Sequence, residues 1–88
     1  MTIFEIIKEI LIDSLECEAE ITLDSNFYND WGLDQEDLEQ LKWGCEDIFR
    51  IEISNDDMIK LDTVGKLVTY ISNKTKTVDK LLWMDNNH

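Results

Sequence analysis

The 88-residue sequence contains no proline, three glycines, two cysteines and one histidine. Without proline, no helix is interrupted by a missing backbone N–H donor. Cys17 and Cys45 are too few for the disulfide scaffold of a small secreted domain, which favours a reduced, cytoplasmic setting. The histidine, His88, has no neighbour at metal-ligand spacing, so we expect neither a metal site nor histidine-based catalysis.

Basic residues are also scarce. The chain has 20 acidic and 8 basic residues, a net charge of −12, and from Glu9 to Leu41 it has eleven acids and no base. Such a field repels nucleic acids and anionic membranes, and it attracts basic protein surfaces. A plainer alternative is that the charge only keeps a small protein in solution. In either case we expect no nucleic-acid partner.

Long apolar runs are missing as well. No segment approaches the roughly 20 apolar residues that a membrane span needs, and the first residues lack the basic region of a signal peptide. A chain of this length forms one small domain with a small core. We therefore expect a monomeric binding or carrier module and not an enzyme, since the sequence offers no glycine-rich phosphate loop and no carboxylate pair that can be placed in a pocket.

Hydrophobic periodicity predicts three longer helices and one short helix, which make an all-α four-helix bundle. The predicted helices span residues 2–16, 35–50, 55–60 and 63–73. Thr2, Asp34, Ser54 and Thr63 are the expected N-caps, and Ser54 with Asp57 has the spacing of a capping box. On the second helix we expect a buried face of Leu38, Leu41, Cys45, Ile48 and Phe49.

The connection between the first two helices, residues 17–33, is unusually long for so small a domain. Ile21, Leu23, Phe27 and Leu33 are expected to anchor it in the core. Cys17 is expected to be more exposed than Cys45. Gly44 costs a helix about 1 kcal/mol relative to alanine, which suggests a close helix–helix approach at that point.

We expect a helical domain over residues 1–73 and a C-terminal extension over 74–88. Within the extension, apolar residues return at Val78, Leu81, Leu82, Trp83 and Met84. They are compatible either with a short extra helix that packs on the bundle or with an exposed partner-binding segment.

The stretch F-Y-N-D-W-G-L-D-Q-E-D-L-E-Q-L, residues 27–41, resembles the acyl carrier protein motif, in which a phenylalanine leads to D-L-G-x-D-S-L-D at the start of helix two. Phe27, Asp30, Gly32, Asp34, Asp37 and Leu41 match that motif. The short acidic helix and residues 61–71 are also similar to the C-terminal part of sequences in that family. The resemblance covers about residues 3–73 and implies a carrier-like four-helix fold.

Two adjacent departures concern the attachment site that the family resemblance implies. The serine that would carry phosphopantetheine falls on Gln35, and the leucine after it falls on Glu36. An amide cannot form the phosphodiester, although a helix start is otherwise favourable for an anion. We therefore expect no covalently bound cofactor at this position. A functional carrier with a displaced attachment serine remains an alternative.

A helical projection places a polar face of helix two opposite its buried face. In acyl carrier proteins, the corresponding face is the one that partner enzymes with basic patches contact. An exposed tryptophan within a charged surface is typical of a binding hot spot, although Trp43 could instead be covered by the loop or the tail. Trp31 is expected in the core. The predicted partner-binding residues are Asp34, Glu36, Glu39, Gln40, Trp43, Glu46 and Asp47.

These features favour an acyl carrier protein-like interaction module that docks a basic protein partner, for example an enzyme of acyl metabolism. A third alternative is an acidic inhibitor or antidote that masks a basic surface, with the bundle as its support. That alternative predicts binding that collapses with salt and depends little on Trp43.

Overall fold

The computed structural model describes residues 2–17 and 20–75. Within these ranges it contains four helices: α1 Ile3–Leu15, α2 Gln35–Phe49, α3 Asn55–Lys60 and α4 Val64–Thr75. The helix α1 packs against both α2 and α4, and α3 packs against α2. The predicted all-α bundle with a long first connection is therefore confirmed. The C-terminal residues for which two alternatives were expected lie outside the described residues.

The helix starts follow the predicted caps. The Thr2 hydroxyl accepts the Glu5 N–H at 3.1 Å, and the Glu5 carboxylate accepts the Thr2 N–H at 3.0 Å. The pKa of the Glu5 carboxyl lies below its usual value because the carboxylate accepts the Thr2 N–H and, in second place, the Thr2 hydroxyl at 3.3 Å. At α4, the Thr63 hydroxyl accepts the Lys66 N–H at 3.2 Å. Side chains thus satisfy donors that a helix start leaves unpaired.

The N-cap of α3 differs from the prediction in one respect. The Ser54 hydroxyl accepts the Asp57 N–H at 3.1 Å, as a cap should. In a capping box the Asp57 carboxylate would accept the Ser54 N–H. Instead it accepts the hydroxyl of Tyr70 at 2.8 Å and so joins α3 to α4. Burial and the bond to Asp57 together raise the pKa of Tyr70 to about 12.

One continuous core joins the helices to the long connection. Its apolar members come from all four helices and from the loops between them. They are Ile3, Ile7, Leu11, Cys17, Ile21, Phe27, Leu33, Leu38, Leu41, Cys45, Ile53, Met58, Val64, Leu67, Val68 and Ile71. The predicted loop anchors lie within or against this core, with Leu23 at its edge.

One burial prediction was wrong, and a second holds only as a ranking. Ile48 was expected in the core but is 50% exposed, because α2 ends one residue later and Arg50 turns the chain away with φ 58°. Cys17 was expected to be the more exposed cysteine, and at 5% against 0% for Cys45 it is, but both cysteines are buried. After Glu16 adopts a left-handed conformation, the Cys17 N–H bonds the Leu11 carbonyl at 3.0 Å, and this turn directs Cys17 into the core.

The close approach expected at Gly44 is present. A Cβ at this position would lie 3.3 Å from Cδ1 of Ile10, so the glycine lets α1 and α2 come together. Gly65 marks a second close approach, because a Cβ there would lie 2.9 Å from the backbone oxygen of Leu23. The first contact sets the position of α2, and the second fixes the loop against α4.

Candidate functional site

Gln35 is the first residue of α2, and its side chain is exposed. The preceding residue, Asp34, caps the helix: its carboxylate accepts the Asp37 N–H at 2.9 Å, and the Asp37 carboxylate accepts the Asp34 N–H at 3.3 Å. The helix start is therefore already occupied by two carboxylates, with a third acid, Glu36, exposed beside them. The position expected for the attachment residue is accessible, but its surroundings are strongly acidic.

A compact turn leads the chain into this helix start. The Asn26 side-chain oxygen accepts the N–H groups of Tyr28 and Asn29, both at 2.9 Å. The Asp30 carboxylate in turn accepts the Asn26 N–H at 2.7 Å. These bonds hold Phe27, which is fully buried. The order of Phe27 and Asp30 thus has a local reason: the Phe27 side chain anchors the turn in the core, and the Asp30 carboxylate closes it.

The end of the same turn is fixed by Gly32 and Trp31. Gly32 has φ +60°, a conformation that side chains rarely adopt, and it leads directly into Leu33 in the core. Trp31 packs against the core with its ring centroid 6.3 Å from that of Phe27, as expected. Its indole nitrogen is buried and has no hydrogen-bond partner among the described residues. The start of α2 is therefore carried by a turn with little conformational freedom.

Three backbone hydrogen bonds tie the turn to the junction of α3 and α4. The Phe27 N–H donates to the Asp62 oxygen at 2.8 Å, the Val64 N–H to the Ser25 oxygen at 3.0 Å and the Gly65 N–H to the Leu23 oxygen at 2.8 Å. Asp62 is further paired with Lys66 at 2.9 Å, which lowers the pKa of its carboxyl. The helix start of α2 is consequently positioned by a segment that lies far along the chain.

The predicted partner-binding residues differ in their exposure to solvent. Asp34, Glu36, Gln40 and Asp47 are exposed, and Trp43 is 56% exposed between them. No described side chain covers the Trp43 ring enough to bury it, so coverage by the described part of the loop is excluded. This exposed set forms the outward surface of α2, which we call the acidic face.

Glu39 and Glu46 are half-buried and lie to one side of the acidic face. The Glu46 carboxylate accepts the Ile53 N–H at 2.8 Å and lies 3.6 Å from the Lys42 ammonium. Glu46 therefore holds the segment after α2 in place, and its negative charge is partly compensated within the protein. Glu39 turns toward α3 and lines a pocket there.

Sequence analysis did not predict that pocket, which lies between α2 and α3 and has a volume of about 120 Å³. Its lining is mostly apolar and comes from both helices and from the turn. The lining residues are Tyr28, Gln35, Leu38, Glu39, Lys42, Asn55, Met58 and Ile59. One signal of the pocket was present in the sequence, namely the helical spacing that places four lining residues on one side of α2: Gln35, Leu38, Glu39 and Lys42. Because these residues differ in polarity, hydrophobic periodicity did not identify them as a group.

The two cysteines do not provide a reactive site. Both cysteines are free and buried, and burial raises the pKa of Cys17 and raises that of Cys45 to about 12. Such thiols are poor nucleophiles. Among the described residues, no group of histidine, cysteine or acidic side chains could hold a metal ion, and no helix there is long and apolar enough to cross a membrane.

Comparison with known proteins agrees with this geometry. A family model described as a phosphopantetheine attachment site matches residues 5–71. The chain is also 38% identical over 80 residues to the acyl carrier protein of Syntrophus aciditrophicus (strain SB), a match that covers 90% of this chain and 100% of that protein. Both matches include Gln35 and the turn before it. The chain therefore belongs to the acyl carrier protein family, whose members are carriers and not enzymes.

Proposed function

We propose that this family member carries no phosphopantetheine at the family's attachment position and acts as an interaction module. Its acidic face docks a basic surface on a protein partner, for which an enzyme of acyl metabolism in the cytoplasm is the first candidate. The observation that carries the proposal is an exposed glutamine, Gln35, at the start of α2 with an exposed tryptophan, Trp43, further along the same helix.

Loss of the attachment chemistry is supported by the residues at the helix start. Attachment needs a hydroxyl, and Gln35 supplies a carboxamide. A phosphodiester is favoured at a helix start by free N–H groups and by the helix dipole. The carboxylates of Asp34 and Asp37 accept N–H groups at that end, but both residues match the family motif and do not set this chain apart. What differs is the missing hydroxyl at Gln35 and the added negative charge of Glu36, which would repel a phosphate.

A displaced attachment serine is the alternative, and the surroundings of the serines speak against it. Ser25 is buried, and its hydroxyl accepts the Thr22 N–H at 2.9 Å. The Ser54 hydroxyl caps α3, a helix of six residues, and Ser72 is half-buried within α4. Ser14 is exposed but lies in the last turn of α1, where the helix dipole disfavours a phosphate.

Partner docking is supported by the contrast between Trp43 and its surroundings. A tryptophan side chain that is 56% exposed leaves a large apolar area in water, and area of this kind is commonly buried in an interface. The nearby carboxylates of Glu36 and Asp47 would attract and orient a basic partner. An arginine of the partner could lie over the indole ring while it pairs with a carboxylate.

Intact-mass measurement tests the attachment part of the proposal. The protein is incubated with coenzyme A and a broad-specificity phosphopantetheinyl transferase, next to the double variant Gln35→Ser, Glu36→Leu. We expect an unchanged mass for the natural protein and the increment of one phosphopantetheine for the variant. An increment on the natural protein would refute this part and direct the search to another serine.

Affinity for a candidate acyl-metabolism enzyme tests the docking part. Trp43→Ala should weaken binding by about 1–2 kcal/mol or more, whereas Ile12→Ala, which removes an exposed side chain from α1, should not. If Trp43→Ala has no effect and binding disappears at high salt, the acidic inhibitor alternative is favoured instead.

A further inference from the structure

The pocket between α2 and α3 carries an inference that rests on the proposed docking function and deepens it. We infer that this pocket receives one aliphatic side chain of the basic partner while the neighbouring acidic face binds the partner's cationic groups. Glu39 connects the two regions, because it is half-buried beside the acidic face and also lines the pocket.

The rim of the pocket is unusually apolar for an exposed surface. Ile59 is 56% exposed and Tyr28 is 38% exposed, and both line the opening. The Tyr28 hydroxyl donates to the Ile59 carbonyl at 3.1 Å and so holds the two sides of the rim together. Below the rim, Leu38 and Met58 form the apolar floor. The opening is thus preformed and gains stability when an apolar group covers it.

The size of the pocket restricts its occupant. A cavity of about 150 Å³ accommodates one benzene molecule, and this pocket measures about 120 Å³. A single branched aliphatic side chain therefore matches the volume, whereas a long acyl chain would extend far beyond it.

The charge of the pocket walls restricts the occupant further. Glu39 lines the opening, and Lys42 has a side chain that is 12% exposed and lies 3.6 Å from Glu46. The one cation of the lining is thus already paired, and the chain as a whole carries −12. An anionic ligand would be repelled, and so would a second copy of this chain. An apolar group presented by a cationic protein satisfies both the apolar floor and the acidic surroundings.

Two short peptides provide the test. Both consist of arginine and lysine with blocked termini, and they differ at the central position, which is leucine in one and serine in the other. Binding is followed by NMR on the full-length protein, with the methyl groups of Met58 and Leu38 reporting on the pocket and the indole N–H of Trp43 reporting on the acidic face. Decanoate serves as an anionic acyl probe.

We expect the leucine peptide to shift both sets of signals and to bind about tenfold more tightly than the serine peptide, which should shift Trp43 alone. Ile59→Asp should remove that tenfold difference. Ile12→Asp is the matched control, because it places the same charge at an isoleucine that is 45% exposed and lies outside the pocket, and it should leave the difference intact.

The other outcomes separate the two proposals. Equal binding of both peptides with shifts at Trp43 alone would overturn the pocket inference and leave the docking proposal standing. Absence of binding by either peptide would remove the attraction of basic groups to the acidic face and the pocket inference with it. Shifts of Met58 and Leu38 at lower concentrations of decanoate than of the leucine peptide would assign the pocket to a free acyl anion and overturn the inference.

Discussion

Replacement of Gly65 by alanine should destabilise the protein by about 1–2 kcal/mol, whereas the same replacement at Gly44 should change stability by no more than about 0.5 kcal/mol. Both residues lie in helices, where alanine is favoured over glycine by up to about 1 kcal/mol. The two sites differ in what the new methyl group meets: a backbone oxygen at Gly65 and the tip of a side chain at Gly44.

At Gly65 the methyl carbon would lie 2.9 Å from the Leu23 oxygen, about half an ångström inside ordinary contact. The loop must retreat, and this stretches the 2.8 Å bond from the Gly65 N–H to the same oxygen. Overpacking of this kind costs roughly 1–3 kcal/mol, and the gain in helix propensity offsets part of it. The net loss is the predicted 1–2 kcal/mol.

At Gly44 the methyl carbon would lie 3.3 Å from Cδ1 of Ile10 and 3.5 Å from its Cγ2. The nearest atom is the end of a flexible side chain, and a small rotation costs about 0.5–1.5 kcal/mol. That cost nearly cancels the propensity gain of about 1 kcal/mol. In an Ile10→Val background, which removes Cδ1, the alanine should therefore stabilise the protein.

Urea unfolding followed by far-ultraviolet circular dichroism measures these differences, provided that the urea dependence of the unfolding free energy stays constant among the variants. Equal stability of Gly65→Ala and Gly44→Ala would contradict the close contact with the Leu23 oxygen. The same effect of Gly44→Ala with isoleucine and with valine at position 10 would contradict the contact with Cδ1 of Ile10.

Three further predictions concern the cap, the pH dependence and the thiols. Asp34→Ala should lower the free energy of unfolding by about 1 kcal/mol in urea titrations, because it removes one half of the capping box of α2. The pKa of Tyr70 is raised in the folded protein, so its contribution to stability is complete below pH 10 and is lost as the pH rises to about 12. The free energy of unfolding measured across this range should therefore fall less for Tyr70→Phe than for the natural protein. The thiols of Cys17 and Cys45 should react slowly with an aromatic disulfide reagent at pH 8 and rapidly in denaturant, since both are buried; rapid reaction of Cys17 in the folded protein would contradict its burial.

Local signals in the sequence predicted the fold well. Thr2, Asp34 and Ser54 mark helix starts because their side chains accept N–H groups within the next three residues, a purely local requirement. The buried face of α4 follows from its periodicity in the same way. These features depend on neighbours along the chain, and for that reason the sequence alone was sufficient.

The errors arose where distant parts of the chain meet. Periodicity placed Ile48 in the core, but no described element covers that side of α2 at its last turn, so half of the side chain is exposed. The burial of Cys17 depends on the left-handed conformation of Glu16. A glycine at that position would have indicated such a turn, whereas a glutamate does not. The pocket between α2 and α3 depends on how two helices pack, which periodicity within each helix does not determine.

The three backbone bonds between the turn and the start of α4 also bear on the order of folding. Each joins residues about 40 positions apart, so the chain must close a large loop before any of them forms, and that closure is costly in entropy. During synthesis, the Phe27 N–H and the carbonyl oxygens of Leu23 and Ser25 lack these partners until residues 62–65 have left the ribosome. The helix α1 can form early, but the entry to α2 becomes fixed only when most of the chain is available. The surface that we propose for partner docking is therefore expected to be among the last parts of the molecule to be assembled.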